Sequence, residues 1–211
     1  MRNVVIIGNS GAARECYWLL QDVSREQKDL AFKGFLSFEG HKGALHGLST
    51  LEMGSDDDYA PDADDVFVIG IGIPNLRLKV FQKWKERGAR FINLVHPTVE
   101  RLGPGEMGEG NILASHCSIS CDTILGDANF LNGSVVLGHD ARIGHGNCFS
   151  PFSLVLGDAC IGSGNSFGVH SVVMPGAKIG DNNTIVPGAY IYKGCRDNTI
   201  MAGNPALCIR G

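Results

Sequence analysis

Met107-Gly108-Glu109-Gly110-Asn111, Leu125-Gly126-Asp127-Ala128-Asn129, Ile143-Gly144-His145-Gly146-Asn147, Ile161-Gly162-Ser163-Gly164-Asn165 and Ile179-Gly180-Asp181-Asn182-Asn183 are one phrase written five times, eighteen residues apart. A shorter beat runs inside it. Every sixth residue from Met107 to Ile191 is large and apolar, through Leu113, Ile119, Leu131, Leu137, Phe149, Val155, Phe167, Val173 and Ile185. Four residues beyond each stands Asn or a small residue, as at Asn129, Val135, Ala141, Asn147, Ser153 and Ala159. The chain is 44% hydrophobic, so an unbroken series of this length is not a product of composition.

A period of six fits neither a helix nor an alternating strand. It fits a short strand plus a corner, three times per coil, and therefore a triangular parallel β-helix. The large apolar residue of each hexad points inward and stacks on its equivalent one coil away. The small residue turns inward near a corner, and Gly and Asn are expected at corners because they tolerate positive φ. One coil cannot bury its own face, so stability comes from stacking. The hexads resemble those of the hexapeptide-repeat acyltransferases, and that resemblance implies a left-handed coil.

Composition sets bounds. The 211 residues support one or two domains. The net charge of −4 comes without a Lys/Arg run, so neither nucleic acid nor an anionic membrane is an expected partner. There is no signal-like start and no apolar run of spanning length, which points to a cytoplasmic protein. Seven cysteines without a Cys-x-x-Cys pair are expected to be reduced thiols.

Residues 1–95 carry no hexads and alternate strand and helix patterns, giving a small Rossmann-like α/β domain ahead of a β-helix domain at 96–211. Val4–Ile7 reads as a buried parallel strand, Gly11–Asp22 as a helix, and Phe32–Leu36 and Val66–Ile71 as strands. Asn75–Arg87 reads as an amphipathic helix stopped by Gly88, with Leu76, Val80, Phe81 and Trp84 inward. Phe91–Val95 reads as a last strand, and the acidic Asp56–Asp58 and Asp62–Asp65 as a solvated loop. Residues 98–106 read as an irregular entry coil, and Ala202–Ala206 as the exit from the prism.

Gly8-Asn9-Ser10-Gly11-Ala12-Ala13-Arg14 joins the first strand to the first helix. It is either a plain strand–helix turn or a phosphate site at a helix N-terminus, with Arg14 adding charge. A full Gly-x-Gly-x-x-Gly is missing, and Ser37 and Phe38 rather than an acid follow the second strand, so NAD is not expected.

With Gly8, Ser10, Gly11 and Arg14 in this turn, Ile71-Gly72, Arg77, the His96-Pro97 junction and the hexads, the whole chain resembles the sugar O/N-acyltransferase family that includes sialic acid O-acetyltransferase. Its nucleotide-4-aminosugar N-acetyltransferases, of the bacillosamine and perosamine pathways, are the relatives whose pattern fits. The resemblance implies an acetyl-CoA-dependent acetyltransferase acting on a nucleotide-linked amino sugar for surface glycan biosynthesis. It implies a homotrimer with sites between subunits. The substrate would lie on Gly11, Ala12, Ala13, Arg14, Ser37, Phe38 and Gly72. Some relatives have His at the place of Ala12 and an Asp pair at the place of Ser37-Phe38, so the nucleotide is left open.

Leu137-Gly138-His139-Asp140 carries the chemistry. In the resembled family a His–acid pair at this hexad is the general base with its helper, which assigns His139 and Asp140. Imidazole has the right pKa to take the proton from an attacking amine. The Gly157 amide, one coil on, is the expected oxyanion donor. By the same resemblance Cys148 stands where some relatives have a His that contacts acetyl-CoA, and Gly157, Val169 and Pro187 line the cofactor groove. His41 and His46 read as surface residues, His96 as structural and His145 as a corner residue. His116 and His170 are surface residues or ligand contacts. No metal is expected. A γ-class carbonic anhydrase would need three converging histidines. A sugar O-acetyltransferase and a non-catalytic scaffold stay open as other readings.

Overall fold

The computed structural model describes residues 1–38 and 43–211. His41 lies outside the described residues. The N-terminal unit contains β1 (Arg2–Ile7), α1 (Gly11–Glu26), β2 (Leu30–Ser37), β3 (Glu52–Ser55), β4 (Asp65–Ile69) and α2 (Pro74–Glu86). All four strands are parallel, in the order β3-β2-β1-β4. Alternation along β1 explains why both sheet faces are covered. Val4 and Ile6 pack with Ala13, Cys16 and Leu20 of α1, whereas Val5 and Ile7 pack with Val80, Phe81 and Trp84 of α2.

The expected elements of this unit are present, with longer bounds for α1 and β2, and β3 is an addition that the sequence pattern did not offer. The acidic run differs from expectation. Asp56 and Asp65 are 0% and 2% exposed, not solvated. Asp56 accepts from Lys83 Nζ at 2.7 Å and Trp84 Nε1 at 3.2 Å. Asp65 accepts from Lys33 Nζ at 2.7 Å and from the Tyr59 hydroxyl at 2.7 Å. These long-range donors are what make burial of the two carboxylates tolerable.

The rest of the chain is a three-sided parallel column. The first face stacks Leu94–Val95, Ile112–Leu113, Phe130–Leu131, Cys148–Phe149, Ser166–Phe167 and Thr184–Ile185. The second runs from Glu100–Arg101 to Tyr190–Ile191, and the third from Gly105–Met107 to Gly194–Cys195. Partners along each face are eighteen residues apart through the repeats, as at Leu131↔Phe149. The expected last strand of the N-terminal unit, Phe91–Val95, is divided: Phe91 makes a parallel bridge to Phe67 of β4, whereas Leu94–Val95 opens the first face of the column. The expected entry coil already carries the strands Glu100–Arg101 and Gly105–Met107. At the far end Ile200–Gly203 stays in the first face and Ala206–Arg210 folds back on it antiparallel.

The inward residues form one core that includes Leu113, Leu131, Leu137, Phe149, Val155, Phe167, Val173 and Ile185. Phe149 and Phe167 stack with centroids 4.4 Å apart. The corners differ from expectation in one respect. The left-handed position is held by Gly110, Gly146, Gly164, Asn182 and Asn198, as expected, but equally by His116, Ala128, Ser134, Asp140, Phe152, Asp158 and His170. The repeated Asn is not that residue. Asn111, Asn129, Asn147, Asn165 and Asn183 are buried; the side-chain oxygen of each of the first four accepts the backbone N–H of the next Asn at 2.8–2.9 Å, and that of Asn183 accepts the Thr199 N–H at 2.8 Å. This ladder satisfies amides that the corner would otherwise leave unpaired inside the column.

Candidate functional site

The local turn geometry sets the His139–Asp140 pair. Asp140 has φ 58°, so the corner brings its carboxylate back beside the preceding ring. The His139 Nδ1 lies 2.9 Å from Asp140 Oδ2. The backbone is pinned from both sides, because Asp140 N–H donates to Cys121 O at 3.1 Å and Asp158 N–H to His139 O at 2.9 Å. With Nδ1–H donated to the carboxylate, Nε2 keeps its lone pair. That edge of the ring lies over Gly157. A Cβ added there would sit 2.5 Å from both Cε1 and Nε2 of His139. Any side chain at 157 would displace the imidazole, and among the described residues nothing accepts from the Gly157 N–H. The His139 pKa is held above the ordinary imidazole value by the hydrogen bond to Asp140, against a smaller effect of desolvation. The side chains of His139 and Asp140 are 58% and 56% exposed, so the pair is open to a ligand from outside the column.

The other candidate residues fall into separate groups. Val169 is exposed, and Pro187 packs on Gly168, where a Cβ would meet its nitrogen at 2.4 Å. Both lie on the corner between the first and second faces, whereas His139 lies on the corner between the second and third. Cys148 is not brought to His139 within one chain. It is buried under α1 with Ala13, Cys16 and Leu20, and burial pushes its thiol up to about 11. His145 is structural: its Nδ1 accepts the Asp127 N–H at 2.9 Å. His116 and His170 are exposed corner residues, and His170 stacks on Phe152 at 5.0 Å. His46 is exposed. Among the described residues no three His, Cys, Asp or Glu side chains converge as metal ligands.

The turn after β1 forms a second site. Gly8 has φ 129°, and a Cβ there would lie 2.5 Å from Gly70 O, so the loops after β1 and β4 are in contact at the point where strand order reverses. Ser10 is the N-cap of α1 but makes no side-chain cap, and the first turn contains no acid. Its free N–H groups suit an anion. Arg14 folds back over Gly11, with Nη2 3.8 Å from a Cβ placed there. Ala12 lies against Gly72 across the same crevice, and Ala13 is buried beneath it. Ser37 donates to Gly54 O at 3.0 Å and Phe38 is half-buried, both at the end of β2. Asn9, which the sequence reading passed over, is buried here with its Oδ1 unpartnered among the described residues. Its place between Gly8 and Ser10 was the only sequence signal.

From this turn a cleft of about 520 Å³ runs between α1 and the first face. Gly11, Arg14, Trp18 and Asp22 line one wall; Phe130 and Asn132 are on the other. Trp18 and Asp22 were also passed over, although they continue the helical stripe from Gly11. His96, read as structural, is in the cleft too.

No family model matches the chain, and no curated protein sequence matches it. Solved structures do. PerB from Caulobacter crescentus, solved with CoA and GDP-perosamine, matches with TM-score 0.85 and 24% identity over 100% of this chain and 98% of that one. The acetyltransferase domain of PglB from Neisseria gonorrhoeae matches with TM-score 0.86 and 18% identity over 99% and 100%. WeeI from Acinetobacter baumannii matches with TM-score 0.84 and 20% identity over 99% and 100%. These likenesses establish the fold: a parallel α/β unit followed by a hexapeptide column that fits a left-handed β-helix.

Proposed function

We propose that this chain is an acetyl-CoA-dependent acetyltransferase of the sugar O/N-acyltransferase family. Its acceptor is the amino group of a nucleotide-linked 4-amino-4,6-dideoxy sugar, destined for surface glycan biosynthesis. The observation that carries this reading is the His139–Asp140 pair lying over the side-chain-free Gly157. The domains divide at about residue 95. The strand order β3-β2-β1-β4 supports a Rossmann-like nucleotide unit, and the uncapped α1 with Arg14 supports phosphate binding. No helix among the described residues is long and apolar enough to cross a membrane, and all seven cysteines are free thiols, which supports a cytoplasmic location. PerB, by its description, binds CoA and GDP-perosamine. AntD from Bacillus cereus, which matches part of the chain at TM-score 0.52, is described as an N-acyltransferase bound to a dTDP-4-amino-sugar.

In the reaction, the amine nitrogen attacks the thioester carbonyl of acetyl-CoA. His139 Nε2 takes the proton that the nitrogen sheds, and Asp140 stabilises the imidazolium. The Gly157 N–H donates to the oxygen as it gains charge. When the carbon–sulfur bond breaks, the proton passes from His139 to the departing thiolate, leaving the amide and CoA. Neither a covalent acyl-enzyme nor a metal is needed, because the thioester is already activated. Val169 and Pro187 line the donor groove.

Subunit packing completes the site. After Glu100, the outward column of the second face is Ser118, Val136, Leu154, Val172 and Tyr190, whereas that of the third face is Glu106, Ile124, Arg142, Cys160 and Lys178, with three charged residues in five. Three second faces packed around an axis place each copy's His139 corner beside the next copy's first–second corner, where the cleft opens. Leu154→Lys is expected to convert a particle of three 22.5 kDa chains into single chains by light scattering and to abolish turnover. A variant that remains trimeric at normal activity would place the interface elsewhere.

Thiol release from acetyl-CoA, measured with UDP-, GDP- and dTDP-linked 4-aminosugars and with free sialic acid, tests the reaction. Turnover is expected with a nucleotide-linked aminosugar. Turnover confined to sialic acid would make the enzyme an O-acetyltransferase, and no turnover with any acceptor would leave a scaffold.

A further inference from the structure

We propose that Trp18 is the platform on which the acceptor's pyranose ring stacks, an inference that rests on the nucleotide-sugar reading above. The chain has two tryptophans with opposite environments. Trp84 is fully buried and hydrogen-bonded to Asp56, whereas Trp18 is 60% exposed on the cleft wall. Tyr17 packs edge-on to it at 5.0 Å, which holds the indole in place while most of it stays in solvent. A fixed, exposed indole in a cleft suits the apolar C–H face of a sugar ring, because the ring carries both dispersion area and a negative π-face.

Position along the helix agrees. Gly11 and Trp18 lie about 10 Å apart along α1, at 1.5 Å per residue. An anionic diphosphate held at the helix start therefore leaves the attached sugar about two turns on. Opposite the indole, Phe130 supplies an apolar wall and Asn132 a polar one. Further along, His96 Nδ1 is engaged by the Thr98 hydroxyl at 2.7 Å and the Thr98 N–H at 3.1 Å, which leaves Nε2 as the other ring nitrogen. It faces Asp22 Oδ2 across 3.7 Å, too long for a direct hydrogen bond. Both polar groups are left for a sugar hydroxyl or a water between them.

The test uses the intact assembly and two readouts. Trp84 is shielded, so a change in tryptophan emission on adding a nucleoside diphosphate 4-aminosugar reports on Trp18. The matching nucleoside diphosphate without sugar is expected to leave the emission near its starting value. Trp18→Ala is expected to raise KM for the nucleotide sugar about tenfold while leaving KM for acetyl-CoA unchanged. Trp18→Phe, which keeps an aromatic face, is expected to recover most of the loss. An unchanged acceptor KM in the alanine variant would overturn the platform. So would an equal rise in both KM values, or loss of the trimer by light scattering, which would make Trp18 a subunit contact. Failure of the acyl-transfer reading is a separate result, namely no thiol release by the unaltered protein with any acceptor.

Discussion

His139→Ala is expected to lower kcat with the best acceptor by about 10²–10⁴-fold, the contribution of a positioned general base. The fold should survive, because the His139 side chain is 58% exposed and lies outside the column core. Stopped thiol-release assays alongside circular dichroism check both statements. The pH profile gives the sharper signature. Asp140 raises the His139 pKa above its ordinary value near 6.5, and an imidazole in the proposed role of base acts only when neutral. Activity is therefore expected to fall as pH drops through that raised value, with the acid limb of kcat/KM lying above 6.5. Asp140→Asn removes the carboxylate, so the limb should move to lower pH while the plateau rate falls. Near-normal turnover in His139→Ala, or an acid limb that Asp140→Asn does not move, would remove the pair from the mechanism.

Arg77→Met is expected to cost about 3–5 kcal/mol of stability, a large part of the total for an ordinary domain. Arg77 is fully buried at the join between the two halves of the chain. Its guanidinium donates to Ile69 O at the end of β4 and to Ile71 O in the loop that follows. It also donates to Ala128 O at 2.5 Å, Gly110 O at 3.0 Å and Asn129 O at 3.3 Å on the column corners. No carboxylate pairs with it, and burial pushes its pKa down. Carbonyl dipoles and the Phe130 ring, whose centroid is 5.6 Å from the guanidinium carbon, hold the charge, in a fork geometry that Lys cannot reproduce. Methionine fills similar space and ends the burial of a charge, but it takes the side-chain donor from four carbonyls, each costing about 1–3 kcal/mol if water cannot reach it, while Asn129 O keeps the Ile112 N–H at 2.9 Å. Urea denaturation of both proteins measures the balance. A loss under about 1 kcal/mol would mean that the join relaxes and hydrates.

The readable part of this chain was the local part. The column was legible because each hexad meets its own copies, so a core residue such as Leu131 is recognised from Leu113 and Phe149 without knowledge of anything distant. The His139–Asp140 pair was legible because its members are adjacent in sequence. The corner rule was misjudged for the converse reason: the repeated Asn signals a buried hydrogen-bond ladder along the column, which is visible only once the coils are stacked. Asp56 and Asp65 looked like solvated charges because their partners Lys83, Trp84 and Lys33 are far off in sequence.

By itself, then, the sequence determined the repeating column, the α/β unit before it and the paired imidazole and carboxylate at one corner, all of which follow from neighbours at fixed short spacings. Only the tertiary structure decided that Cys148 lies under α1, that Arg77 joins the two halves, and that Trp18, Asp22 and His96 share a cleft with Phe130. Those arrangements depend on docking a helix against a face of the column. That contact joins residues about a hundred positions apart, and no local period records it.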